Sequence, residues 1–216
     1  MKRIDVGGAL RHHMWEGVSI YPLVEVYELP PRGGRGYMSY SQAIYTPVQT
    51  SSYLETAAHM YPERIKVAEL PLERLFTEAV VLQIPLGPKQ GITSAAVRQA
   101  LAASDETLGP GESLLIATGW DVRWDAPNYI SDSPYFTAEA IDWILKQQVG
   151  LLGSDACQWD NGEQGFFPRY FETETLLLGP LVKLTTVSRS RVKLITLPLK
   201  VAGTCAAPCR VIVEED

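Results

Sequence analysis

Residues 137–155 read TAEAIDWILKQQVGLLGSD, and their pattern decides the fold class. Ala140, Ile141, Ile144 and Leu145 recur at three- and four-residue spacing, which puts them on one helical face. Thr137 stands just ahead as an N-cap. The tail VGLLGSD (149–155) changes to a continuous apolar run, as a buried strand does. Upstream, SLLIATGW (113–120) is a second such run. TSAAVRQALAAS (93–104) is a second helix with a Thr or Ser cap, and EAVVLQIPL (78–86) is a strand bounded by proline. Strand, helix, strand, helix, strand in this order predicts an α/β domain with a parallel or mixed sheet under covering helices.

The ends are richer in strands. VSIYPLVEVYEL (18–29) and YMSYSQAIYTPV (37–48) carry β-branched and aromatic residues, and PPRGGRG (30–36) lies between them. They predict a long hairpin whose exposed tip carries Arg32 and Arg35. After Pro180, LVKLTTV, VKLITLPL and CRVIVEE read as three more strands. No linker or repeat divides residues 1–216, so one domain is expected, and 216 residues suffice for one buried core.

Composition narrows the function classes. Hydrophobic residues are 46% and charged residues 20%, and the net charge is −6. That balance is globular and gives no basic surface for nucleic acid. No run of about 18 apolar residues could span a membrane, and MKRIDVGGALRHH lacks the apolar stretch of a secretory signal. A cytoplasmic protein is therefore expected. Cys157 is solitary, and Cys205 and Cys209 sit in TCAAPC with no histidine nearby in sequence. They are read as idle thiols rather than a zinc site, with a local disulfide as the alternative.

Three histidines are available for chemistry. His12 and His13 are adjacent and cannot face one direction on a helix or strand, so they are read as exposed or capping residues. His59 closes the stretch Gln49-Thr50-Ser51-Ser52-Tyr53-Leu54-Glu55-Thr56-Ala57-Ala58-His59. If its first part is extended, Gln49, Ser51, Tyr53 and Glu55 share a face. If its later part turns helical, Glu55 and His59 are four apart and meet. A carboxylate beside an imidazole orients the ring and favours its charged form, which suits a general base. Glu–His neighbours are also common as inert pairs.

This eleven-residue spacing resembles the signature loop of the cyclase family, metal-dependent hydrolases that include bacterial kynurenine formamidase. The family loop is H-x-G-T-H-x-D-x-P-x-H, against Q-T-S-S-Y-L-E-T-A-A-H here. The resemblance extends, in order, through EGVSIYP (16–22), LPLERLFTEAVVLQIP, GPGESLLIATGWDVRWD, PYFTAEAIDWILKQQVGLLGSDA and LPLKVAGTCAAPCRVIV. It implies a swivelling β/α/β fold, with a mixed sheet curled into a partly open barrel and helices outside. It also implies a homodimer or homotetramer, and hydrolysis of an amide, as of an arylformamide, or of a related bond by metal-bound water. His59 takes the family's proton-transfer position.

The ligand positions differ from the family. The first metal's two histidines and aspartate fall on Gln49, Tyr53 and Glu55, of which only Glu55 is a good anionic ligand. In RYFETETLLLGPLVKL, the second metal's histidine falls near Tyr170 or Phe171 and its glutamate at or near Lys183. A conventional dinuclear zinc site is not expected. A single hard divalent cation bound through oxygen at Glu55 stays open. Tyr21, Trp120 and Asp155 are candidates for the substrate pocket, as are Gln49 and Tyr53, from their places in the matching motifs. Three readings stay open: a divergent hydrolase using His59 and Glu55, a non-catalytic relative that binds a small molecule or serves an assembly, and a metal-free lyase or isomerase using Tyr53 and His59.

Overall fold

A computed structural model describes residues 1–11, 14–15, 18–27, 37–162 and 165–216, with the side chains of 23–27 and 37–39 left out. His12, His13, Arg32 and Arg35 lie outside the described residues. The strands are β1 (Lys2–Asp5), β2 (Ser19–Tyr27), β3 (Tyr37–Tyr45), β4 (Tyr53–Glu55), β5 (Phe76–Gln83) and β6 (Gly91–Ile92). They continue as β7 (Ser113–Ala117), β8 (Tyr135–Phe136), β9 (Leu151–Ser154), β10 (Leu176–Gly179), β11 (Arg191–Pro198) and β12 (Ala206–Glu215). The helices are α1 (Ser94–Ala103), α2 (Ala138–Lys146) and α3 (Phe166–Phe171).

The main sheet runs β1-β12-β11-β5-β7-β9-β10-β4, and β4 also pairs with β12, so seven strands form a closed barrel. Strands β5, β7, β9 and β10 are mutually parallel, and the remaining pairings in this sheet are antiparallel. The mixed sheet curled inside outer helices, as the family resemblance implied, is what forms, with the barrel closed rather than partly open. Its parallel strands bury both faces, which is why they read as unbroken apolar runs. Ala79, Val81, Leu115, Leu151, Leu176 and Leu178 fill the barrel interior with Val192, Leu194, Val211 and Val213 from the antiparallel side. Their alternates Val80, Leu82, Leu114, Ile116, Leu152 and Leu177 pack outward with Val97 of α1 and Ile141 and Ile144 of α2. Gly153 faces the interior where a Cβ would come within 2.7 Å of the Leu115 side chain, so any larger residue would push that packed side chain aside.

The helices start where their caps predict. Thr93 accepts from the Ala96 amide and Thr137 from the Ala140 amide. The hairpin also forms: β2 and β3 pair from Ser19↔Tyr45 to Tyr27↔Tyr37 as a sheet of their own. The strand expected at 181–187 does not form. Leu181 makes one isolated bridge with Gly7, then Lys183 enters the left-handed region (φ 59°) and starts a 3-10 turn, Leu184–Thr186. That turn is incompatible with extended backbone. Strand β10 and helix α3 were not anticipated as elements. No helix among the described residues is long and apolar enough to cross a membrane.

Candidate active site

Strand β4 closes the barrel. Glu55 pairs with Leu177 of β10 on one side and Ala206 of β12 on the other, and its side chain is buried at this seam. The chain then tightens. Thr56 caps a 3-10 turn, Ala57–His59, by accepting from the Ala58 amide, and the His59 amide donates to the Thr56 carbonyl. The turn folds His59 back onto the strand that carries Glu55. His59 Nδ1 lies 3.0 Å from Glu55 Oε1. The imidazole pKa is raised, first by this hydrogen bond and also by the Glu55 charge, against the opposing effect of burial.

Gln49 joins them from the far side of a bend. Its Nε2 is 3.0 Å from Glu55 Oε1 and 3.2 Å from His59 Nδ1. The single extended face expected for Gln49, Ser51, Tyr53 and Glu55 is not what the chain builds. Ser51 is left-handed (φ 61°) and donates to the Gly8 carbonyl, while Ser52 is buried between the Gly8 amide and the Pro180 carbonyl. Those anchors hold 51–52 to the N-terminal segment and leave Gln49 free to curl onto Glu55. Tyr53, half-buried on β4, has its hydroxyl pKa pushed up by burial and by the Glu55 charge, so it stays protonated.

Two groups that sequence reasoning does not place beside His59 complete the surroundings, one of them a cysteine read above as an idle thiol. The rings of Phe167 and Phe171 on α3 lie 5.4 and 5.9 Å from the imidazole. Cys205, just before β12, sits with Sγ 4.0 Å from His59 Nδ1 and 3.9 Å from Gln49 Nε2. The FFPRYF run signals the aromatic wall by composition alone; Cys205 leaves no local signal, because sheet closure brings it in.

Trp120 and Asp155 are held elsewhere. Tyr21 lies on the hairpin strand β2. Asp155 follows β9 three residues beyond Leu152, which is level with Leu177 and Glu55. That places it about 10 Å further along the strands than Glu55. It is fully buried and accepts from Thr118 N (2.8 Å), Thr118 Oγ1 (2.7 Å) and Gly119 N (2.7 Å). Burial outweighs these donors and lifts its carboxyl to about 6. Gly119 (φ 79°) makes the turn that aims those donors. Trp120 follows, buried against Trp124 and Tyr129, with Nε1 donating to the Tyr129 carbonyl at 2.8 Å. The Thr-Gly-Trp motif thus has a visible structural use.

The model of the Cyclase family, described as "Putative cyclase", matches residues 5–161. This chain belongs to the Cyclase family. No curated protein matches this cyclase-family chain. Its fold is similar to isatin hydrolase A from Ralstonia solanacearum, at 15% identity and TM-score 0.74, over 98% of this chain and 91% of that one. It is similar to a protein from Bacillus stearothermophilus described as a predicted metal-dependent hydrolase, at 21% identity and TM-score 0.73, over 98% and 97%. A structure described as a novel cyclase is also similar, at 15% identity and TM-score 0.78, over 99% and 88%.

The metal pair implied by the family resemblance does not fit these residues. Gln49 turns a donor amide toward Glu55, and Tyr53 keeps its proton. At the second site's histidine position, Tyr170 is buried with its hydroxyl on the Leu176 carbonyl (2.9 Å), and Phe171 offers only a ring. Lys183 has an exposed side chain and spends its backbone N–H on Asp121. No chemical step is assigned to such a pair.

Proposed function

We propose that this cyclase-family protein is a hydrolase that opens an amide or related bond in a small aromatic molecule, with His59 as general base and Glu55 as the group that positions it. The observation that carries this reading is the 3.0 Å contact between the buried Glu55 carboxylate and His59 Nδ1. With Nδ1–H held by the carboxylate, the lone pair of the neutral ring is on Nε2. Nε2 takes a proton from water, hydroxide adds to the carbonyl carbon, and the same nitrogen returns the proton to the leaving amine. Glu55 stabilises the imidazolium formed between those steps. Phe167 and Phe171 give the imidazole an aromatic wall, which suits an aryl substrate stacked beside the base.

Isatin, named for one of the similar structures, is an aryl amide, and an arylformamide presents the same bond without the ring. Both belong in the first substrate panel. The three cysteines are free thiols, which suits a cytoplasmic setting. The test is turnover of isatin, N-formylkynurenine and an aryl ester by purified protein beside a His59→Ala control. We expect turnover of at least one compound, reduced about 100-fold or more in the variant. Equal rates for the two proteins on every compound would overturn the reading.

A further inference from the structure

Cys205 changes the donor set of the site. The Thr56 amide (2.9 Å) and hydroxyl (3.1 Å) both donate to the Cys205 carbonyl, which fixes the cysteine beside the Glu55–His59 turn. One ligand atom each from Glu55, His59 and Cys205 then lie within 4.8 Å of one another. Zinc bonds of roughly 2.3 Å to sulfur and 2.0–2.1 Å to nitrogen or oxygen define a tetrahedron with edges of about 3.3–3.6 Å. The observed edges, 4.0 Å from sulfur to nitrogen and 3.0 Å from nitrogen to oxygen, straddle that range. Side-chain shifts of about half an ångström would bring them onto it.

A second observation points to the same spot. Gln49 Nε2 lies 3.0 Å from Glu55 Oε1, 3.2 Å from His59 Nδ1 and 3.9 Å from Cys205 Sγ. The three ligand atoms therefore already converge on one point, the end of the Gln49 amide. A half-turn about the last side-chain bond of Gln49 would put a carbonyl oxygen there instead. That oxygen would repel the Glu55 carboxylate unless a cation lay between them.

We propose that Glu55, His59 and Cys205 bind one zinc ion, or a similarly thiophilic divalent ion, with water or Gln49 Oε1 as the fourth ligand. Carboxylate and thiolate together balance the ion's charge at a position where Glu55 is buried. Sulfur, imidazole and carboxylate form a set that zinc prefers and magnesium does not. Cys209 and Cys157 are turned to backbone carbonyls, of Arg210 and of Tyr129 and Ile130 respectively. This inference deepens the proposed hydrolytic site: His59 Nδ1 serves either the ion or Glu55, so the ion-bound site and the general base are alternative states of the same residues.

The test is a cobalt(II) titration of the full chain, followed by displacement with zinc. We expect one equivalent to bind with a thiolate-to-cobalt charge-transfer band. The band should be lost in Cys205→Ser, retained in Cys157→Ser, and removed by zinc; circular dichroism checks that each variant is folded. Absence of the band, or its persistence in Cys205→Ser, would overturn the proposal. These readouts are independent of turnover. Hydrolysis that depends on His59 in a protein without the band leaves the base and removes the ion. The band without such hydrolysis does the reverse.

Discussion

At the scale of single residues, a few side chains separate catalysis from architecture. Glu55 and His59 could be paired from sequence because four-residue spacing meets on a turn. Their partners could not. Cys205 is 146 residues from His59 and arrives only because β12 pairs with β4. Gln49 reaches Glu55 only because Ser51 breaks the extended backbone at φ 61°. Asp155 holds the Thr118–Gly119 turn. Two of its three donors are buried and the third is partly so, and Asp155→Ala leaves them unpaired and should destabilise the fold by about 3 kcal/mol. Urea unfolding checks this. A variant of unchanged stability with lost turnover would instead place Asp155 in the substrate pocket.

At the scale of elements, helices α1 and α2 were legible because period, cap and length agreed. Strand β10 was not, because its four residues, LLLG, form too short an apolar run to be told from a buried helix segment. Helix α3 was missed because its six residues are too few to show a period, with Pro168 inside them. The C-terminal end of β12 supports a pH prediction. Glu215 accepts from Lys2 Nζ (2.9 Å), Ser188 Oγ (2.9 Å) and the amides of Ser188 and Arg189. Lys2 first, then the backbone donors, depress its carboxyl from 4.5 to about 2. A depressed carboxyl gives stability that is present above the unfolded-state value and is lost as pH falls through the folded value. The urea midpoint should therefore drop between pH 4.5 and about 2, and Glu215→Gln should flatten that drop. Parallel curves for the two proteins would contradict the assignment.

At the scale of the whole molecule, the α/β class and outer helices could be read from sequence, but closure could not. Three residues of β4 join both barrel edges, and nothing in Tyr-Leu-Glu announces that. The hairpin β2–β3 adds an unusual surface: Tyr40, Ile44 and Tyr45 are 66%, 60% and 72% exposed. An apolar sheet of this kind is costly in water, and a second copy of the chain, apposed by two-fold symmetry, would cover it. We expect a dimer or tetramer by light scattering, shifted toward monomer by Tyr40→Asp with Ile44→Asp, which share one face of the strand; a wild-type monomer at working concentration would contradict this. In the proposed mechanism the barrel seam matters most, because it presents Glu55 to His59. The most direct measurement is the ratio of kcat for wild type and Glu55→Gln, which keeps the shape and removes the charge, on whichever aryl amide the panel identifies. A fall of about 100-fold with KM little changed is expected. An unchanged kcat would show that the Glu55–His59 pair does not carry the reaction.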